Sequence, residues 1–153
     1  MNQKLTIRKL REGEELAVSR VCKRCIKEIN SKDMTKKQVR YLSDYFSAKN
    51  IRESLGETRV YVALLGEKIV ASGSLCEGRI KAVFVNPSYH KKGVGAKLVR
   101  YLEGILKKMG HNSTFVRSSK HAVEFYKKLG FREAEKINSP DVGEIVVMKK
   151  KLK

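Results

Sequence analysis

The stretch Val83–Val99, VFVNPSYHKKGVGAKLV, joins an apolar run to a helical pattern through a loop that contains two spaced glycines. Pro87 has no N–H group to donate to a β-ladder, so it is expected to end the apolar strand. The helical pattern begins near Val94, where the first N–H groups lack partners and create a positive potential. Gly93 and Gly95 leave these N–H groups free of side chains. The stretch therefore predicts a binding site for a phosphate or diphosphate.

The charge of the same loop supports this interpretation, since Lys91 and Lys92 add two mobile positive charges. Two well-known phosphate loops are excluded by spacing. No Gly-Lys-Ser/Thr follows, as a P-loop requires, and Leu98 stands where a dinucleotide-binding fingerprint needs its third glycine. A tight strand-to-helix turn without any ligand remains an alternative explanation of the two glycines.

The N-terminal part of the chain is predicted to be one strand followed by helices. Alternating apolar and polar residues over Leu5–Leu10 indicate the strand, and apolar residues at helical spacing over Glu12–Ile29 indicate the first helix. Thr35 is expected to cap a second helix. Asn50–Thr58 is less regular, which predicts a short helix or a loop.

The remainder of the chain is rich in β-strand patterns, which are interrupted twice by helical spacing. The predicted order is β-α-α-β-β-β-α-β-α-β-β, an α/β (α+β) fold around one mixed sheet with helices on both faces. The predicted strands and helices are Arg59–Gly66, Lys68–Leu75, Arg79–Val85, the helix Val94–Met109, Ser113–Ser118, the helix Ser119–Leu129, Phe131–Ile137 and Glu144–Leu152.

Composition limits the classes of protein to consider. The 153 residues are 41% apolar, which suits a folded chain, and no apolar run reaches the ~20 residues of a membrane span. The formal net charge of +18 favours an anionic partner, although a lysine-rich solvated surface would give the same excess. The pair Cys22 and Cys25 has no second ligand pair at metal-binding spacing, so both are predicted to be buried on one helix face. A cytoplasmic protein without a resident metal is expected.

The glycine loop resembles the acyl-CoA-binding signature of the GNAT N-acetyltransferase superfamily, which is Gln/Arg-x-x-Gly-x-Gly/Ala after a strand ending in Val-x-Pro. Gly93 and Gly95 match the two small positions, and His90 replaces the basic one. The resemblance implies a GNAT-like fold over residues 1–153 as a single acetyltransferase domain. The residues that it implies for coenzyme A binding are Phe84, Val85, His90, Lys91, Lys92, Gly93, Val94, Gly95, Ala96 and Ser119. Among these, the main-chain groups of Phe84 and Val85 are implied to pair with the pantetheine arm of the cofactor.

A second segment, SSKHAVEFYKKLGF (Ser118–Phe131), resembles the family motif Asn-x-x-Ala-x-x-Phe/Leu-Tyr-x-x-x-Gly-Phe, with Ser119 in place of the asparagine. The resemblance implies that Tyr126 is the general acid that protonates the departing thiolate of coenzyme A. A packing tyrosine beside Phe125 is the alternative. Glu77, the carboxylate nearest to the position of the family's base, is the candidate general base, with an ordinary turn residue as the alternative.

The implied activity is transfer of an acetyl group from acetyl-CoA to a primary amine in a ternary complex. The N-terminal helices, Glu12 to Gly56, are implied to line the acceptor groove, where Lys and Arg residues suit an acceptor that bears a carboxylate or phosphate. A homodimer is compatible with the resemblance. Two alternatives remain: a catalytically weak acyl-CoA-binding protein, and a basic nucleic-acid-binding module, although no RNP-like strand or helix-turn-helix signature supports the latter.

Overall fold

The computed structural model describes residues 4–153, which form seven strands and five α-helices. The predicted order is confirmed, with one helix added in the segment for which a short helix or loop was predicted. The strands are β1 Leu5–Lys9, β2 Arg59–Leu65, β3 Lys68–Cys76, β4 Arg79–Val85, β5 Ser113–Ser119, β6 Arg132–Ser139 and β7 Gly143–Lys151. The helices are α1 Glu15–Glu28, α2 Lys36–Tyr45, α3 Ala48–Ser54, α4 Val94–Lys108 and α5 Val123–Lys128.

Local signals account for the starts of α2 and α3. Thr35 forms a complete capping box with Gln38, in which each side chain bonds to the other residue's main-chain N–H. The predicted Thr35 cap is thus confirmed. Ser47 caps α3 by accepting a hydrogen bond from the N–H of Asn50. Such caps satisfy N–H groups that the first turn of a helix leaves without partners.

The strands form two antiparallel sheets in place of one continuous mixed sheet. The first sheet has the order β1-β2-β3-β4 and the second has the order β5-β7-β6. The strands β4 and β5 lie side by side, but no β-ladder joins them. The edge of each sheet therefore faces a gap between them, and the unpaired main-chain groups along that gap are available to a ligand.

A bulge in β4 explains why the two sheets separate. Opposite Gly73 of β3, the strand β4 contains the two residues Ala82 and Val83. Ala82 has a φ of 53°, in the left-handed region that residues other than glycine rarely occupy. An extra residue bends a strand and increases its twist, which turns the end of β4 away from β5.

Helices cover both faces of the first sheet, as predicted. The helix α1 packs on one face through Val18, Cys22 and Ile26, together with Phe84 of β4. The helix α4 packs on the opposite face and belongs to a larger core that continues beneath the second sheet. The expectation that Cys22 and Cys25 are buried on one helix face is confirmed. Within residues 4–153, no helix combines the length and apolar character of a membrane span.

The helix predicted for Ser119–Leu129 is shorter than expected. A 3₁₀ turn occupies Lys120–Ala122, and α5 begins only at Val123. The side chain of Ser119 makes no capping hydrogen bond. Without a cap, the first turn does not take the regular α-helical geometry. The prediction that the helix starts at Ser119 was therefore wrong.

The two glycines of α4 give a matched test of how the helix packs. A Cβ added at Gly95 would lie 3.1 Å from the ring of Phe125 and 3.3 Å from Val85 Cγ2, whereas one at Gly104 would meet nothing within 4 Å. Gly104→Ala is expected to raise the melting temperature, because alanine favours a helix by about 0.5–1 kcal/mol over glycine. Gly95→Ala is expected to lower it, because the Phe125 ring is held edge-on against Tyr126. Thermal unfolding of both variants measures this; equal shifts would show that Gly95 is not required by packing.

Candidate functional site

The separated sheets enclose a groove of about 780 Å³ that runs between β4 and β5. The glycine loop before α4 forms one end, and the side of α5 and the segment between α1 and α2 complete the walls. Most of the residues predicted from the sequence meet here. Those that line the groove are Phe84, Val85, His90, Lys91, Gly93, Val94, Gly95, Ala96, Ser119 and Tyr126.

The loop before α4 presents a row of main-chain N–H groups without partners. The N–H of Lys97 is the first to bond within the helix, to the carbonyl of Gly93 at 3.1 Å. The six N–H groups from Lys91 to Ala96 form no hydrogen bond with any residue of 4–153. Gly93 has a φ of 81°, which accounts for glycine at this turn. Unpaired main-chain donors at a helix start form an anion-binding site.

Only alternate residues of β4 offer main-chain groups to the groove. The N–H of Asn86 donates to the carbonyl of Val70 at 2.8 Å, and Phe84 pairs with Ser72 in the same register. Since bonded and unbonded pairs alternate in an antiparallel ladder, the main-chain groups of Phe84 point to β3. The expectation that Phe84 offers these groups to a cofactor was therefore wrong. Those of Val85 point away from β3, and Val83 in the bulge has no partner in β3. The sequence did not identify Val83.

The imidazole of His90 is directed at main chain and is not free for a phosphate. Its Nε2 donates to the carbonyl of Val85 at 2.7 Å, which fixes the proton on that nitrogen. The sequence placed His90 at the position of a basic residue that grips phosphate. In the structure, the contact instead holds the loop against the end of β4.

The N–H of Val85 lies beside the sulfur of Cys25, which α1 brings to the groove. Burial raises the pKa of the Cys25 thiol to about 11, and the hydrogen bond from Val85 opposes this shift. Cys25 is thus a neutral thiol at neutral pH. A thiol sulfur is a weak acceptor, so a carbonyl oxygen that reaches this N–H would form the stronger hydrogen bond.

Tyr126 is buried on the opposite wall of the groove. Its ring packs edge-on against Phe125 and Phe131, with centroid distances of 4.9 and 5.4 Å. Its hydroxyl forms no hydrogen bond with another residue in 4–153, and burial raises its pKa above that of an ordinary tyrosine. The phenol is therefore protonated at neutral pH, as a proton donor must be.

Two predicted site residues do not line the groove. Glu77 lies exposed in the turn between β3 and β4, at the end of β4 remote from the glycine loop, where its neighbour Gly78 contacts the ring of His111. The proposed role of Glu77 as general base thus lacks structural support. Lys92 turns outward, with its ammonium 5.6 Å from the centre of the Tyr89 ring. Spacing along the chain gave no information on these side-chain directions.

A contact across the groove was not predicted. Asp33, in the 3₁₀ turn Asn30–Asp33 between α1 and α2, binds His121 Nε2 at 2.5 Å and Lys120 Nζ at 3.2 Å. The hydrogen bond from Lys120 is the main cause that lowers the pKa of Asp33. Because Lys120 and His121 follow β5, this contact ties the α1–α2 segment to the second sheet and covers part of the groove. No local sequence pattern predicts this contact, because Asp33 and its partners Lys120 and His121 are far apart in the chain.

The charged residues that line the groove are mostly cationic. The groove is lined by five lysine and arginine side chains and by two carboxylates, Asp33 and Glu144, of which Asp33 is already paired. The cations are Lys81, Lys91, Arg117, Lys120 and Lys128. An anionic ligand is therefore favoured at the end of the groove formed by the loop.

Comparison with known structures places this fold among acetyltransferases. A GCN5-related N-acetyltransferase from Rhodopseudomonas palustris superposes with a TM-score of 0.89 at 19% identity, covering 99% of this chain and 98% of the other. The PaiA N-acetyltransferase of Thermoplasma acidophilum, solved in complex with coenzyme A, gives a TM-score of 0.81 at 17% identity, covering 97% and 99%. At these identities the likeness shows a shared fold.

Two sequence comparisons add to this. Over 64 residues the chain is 38% identical to a glucosamine 6-phosphate N-acetyltransferase of Trypanosoma brucei brucei, an alignment that spans 42% of this chain and 44% of that enzyme. The match thus covers less than half of the relative. The acetyltransferase (GNAT) domain family matches residues 30–152, which include the loop, both groove walls and both sheets except β1. The chain belongs to the GNAT acetyltransferase family.

Proposed function

We propose that the protein transfers an acetyl group from acetyl-CoA to a primary amine. The observation that carries this proposal is the row of unpaired N–H groups from Lys91 to Ala96 at the mouth of a groove. These donors suit the diphosphate of coenzyme A, and Lys91 adds a positive charge beside them. The complex of the structurally similar PaiA enzyme with coenzyme A supports the choice of ligand.

The groove also suits the remainder of that cosubstrate, whose role is to supply the acetyl group as a thioester. Beyond the loop, the main chain of Val83 has no cross-strand partner in β3 and is available for hydrogen bonds with the amide-containing arm, whereas the carbonyl of Val85 already accepts from His90. The N–H of Val85 is our candidate donor to the thioester carbonyl oxygen, where negative charge develops during the reaction. Ser119, whose hydroxyl is unbonded within 4–153, faces the same arm.

Tyr126 serves as the general acid in this proposal. The acceptor nitrogen forms a bond to the acetyl carbon, the carbon–sulfur bond breaks, and the Tyr126 hydroxyl donates its proton to the departing sulfur. The proton lost from the acceptor nitrogen passes to solvent. The Tyr126 phenolate then takes up a proton from solvent, which restores the phenol for the next turnover. We assign no protein base, because Glu77 lies outside the groove. Holding both reactants in line therefore supplies a large share of the rate enhancement.

A primary amine is the acceptor that we expect, and the alternatives are less well supported. The trypanosomal relative is named a glucosamine 6-phosphate N-acetyltransferase, and this name supports an amine as the acceptor. A catalytically weak acyl-CoA-binding protein would keep the loop but needs no buried phenol in the groove. A nucleic-acid-binding module is not favoured, because the unpaired N–H groups line a groove between two sheets and do not lie on an open basic face.

The ligand is tested by calorimetric titration of coenzyme A. We expect a dissociation constant in the micromolar range and about tenfold weaker binding in Lys91→Glu, because the substitution replaces attraction of the diphosphate by repulsion. Lys136→Glu is the matched control, since it changes the net charge equally on an exposed strand outside the groove. Equal losses in the two variants, or no binding by the parent protein, would contradict the assignment of the loop.

The role of Tyr126 is tested by its Phe variant. Acetyl-CoA is screened against a panel of amines, glucosamine 6-phosphate included, and thiol release is followed. With any active acceptor, Tyr126→Phe is expected to lower kcat by about a hundredfold or more and to leave coenzyme A affinity nearly unchanged, because the ring is kept and only the proton donor is lost. Tyr101→Phe is the matched control, because it removes a hydroxyl from an exposed tyrosine of α4 outside the groove and should leave kcat unchanged. Unchanged turnover in Tyr126→Phe would remove this residue from the mechanism.

A further inference from the structure

A second cavity, of about 420 Å³, lies between α1, α3 and the first sheet. Three of its lining residues, Phe46, Lys81 and Ala82, also line the groove. Ala82 belongs to the bulge, so the two spaces meet where β4 bends away from β5. A molecule in the second cavity can thus reach the inner part of the groove from the side of the sheet that α1 covers.

The junction of the two spaces carries a cation without a carboxylate partner. The ammonium of Lys81 has no carboxylate within 4.0 Å in the part of the chain that the structure describes. It lies 3.5 Å from the hydroxyl of Tyr45 and 5.8 Å from the centre of that ring. Because the Tyr45 oxygen accepts from Lys81, its own hydrogen remains free to donate.

Further hydroxyl groups line the same cavity as this cation. Ser74 is the cross-strand partner of Lys81, so the two side chains lie on the same face of the sheet. Ser74 and Thr58 are 5% and 7% exposed, both line the cavity, and neither hydroxyl forms a hydrogen bond with another residue in 4–153. One ammonium and three hydroxyl donors around one space provide the contacts that a carboxylate or phosphate requires.

The single carboxylate that lines the cavity lies at its rim. Glu53 has a side chain that is 62% exposed, and its oxygen is 4.0 Å from Lys49 Nζ. Its charge is therefore screened by solvent and by a neighbouring lysine, whereas that of Lys81 is half-buried. The electrostatic preference of the inner part of the cavity is for an anion.

We infer that this cavity binds the acceptor, and that the acceptor is a small amine that also carries a carboxylate or phosphate. Lys81 binds the anionic group with Tyr45 and Ser74, and the amine points past Ala82 into the groove. Because the two spaces share Phe46, Lys81 and Ala82, one small molecule can place its anionic group in the cavity and its amine in the groove. The inference rests on the proposed function, since it names the second substrate of the same site.

The test compares amines that differ only in the anionic group. O-Phosphoethanolamine and ethanolamine form one pair, and β-alanine and propylamine form the other, so the two pairs separate phosphate from carboxylate. Each is titrated calorimetrically into the protein loaded with coenzyme A. We expect the anionic member of at least one pair to bind about tenfold or more tightly, and Lys81→Gln to abolish the preference while Lys81→Arg retains part of it. Lys136→Gln is the control for net charge.

Ethylenediamine is titrated in the same way, into the parent protein and into Glu53→Gln. Three results would overturn the inference: equal affinities within both pairs, a preference that Lys81→Gln leaves intact, or binding of ethylenediamine that is tighter than that of the anionic amines and is lost in Glu53→Gln. The same titrations without coenzyme A separate the two proposals. If coenzyme A does not bind, the proposed function fails, but a Lys81-dependent preference for the anionic amine still supports the cavity. If coenzyme A binds and no preference exists, the proposed function stands and the acceptor assignment fails.

Discussion

The structure depends on main-chain N–H groups that the fold leaves without partners. The first turn of any helix leaves four N–H groups without intrahelical partners, and here Lys91 and Lys92 add two more in front of Gly93. Six donors therefore lie together at one end of the groove. Here Gly93 turns the chain through a left-handed conformation, and Gly95 lets α4 approach the ring of Phe125. His90 then fastens the loop to the end of β4. Each of these contacts positions the same row of donors at the mouth of the groove.

The bulge in β4 provides the second constraint. With Ala82 and Val83 opposite a single residue of β3, the strand bends and the two sheets part. This opens the groove on one side and places Lys81 at the junction with the second cavity, so a single irregularity connects two spaces on different sides of the sheet. A regular strand could have paired with β5, which would have left no space for a ligand between Val85 and Tyr126.

Local chemistry was predictable from the sequence, and long-range geometry was not. The order of the strands, the Thr35 cap and the two glycines follow from residue types at fixed offsets, which act within one turn or strand. The cross-groove contact of Asp33 joins segments far apart in the chain, and no periodicity encodes it. Glu77 was misplaced for the same reason: proximity to β4 in sequence says nothing about which end of the strand faces the groove.

The net charge of +18 does not itself report the charge of the site. Within the groove, Lys120 is neutralised by Asp33, and the inner walls around Phe84 and Tyr126 are apolar or uncharged. Positive charge without a carboxylate partner in residues 4–153 therefore remains at two places. One is the groove, where Lys91, Arg117 and Lys128 lie, and the other is the junction with the second cavity, where Lys81 lies. Under the proposed function, a cosubstrate with an anionic end and a neutral reactive end fits the first place and the apolar walls. The site at Lys81 then remains for an anionic group on the acceptor. Two anionic substrates bind together more favourably when their charges are held apart in this way.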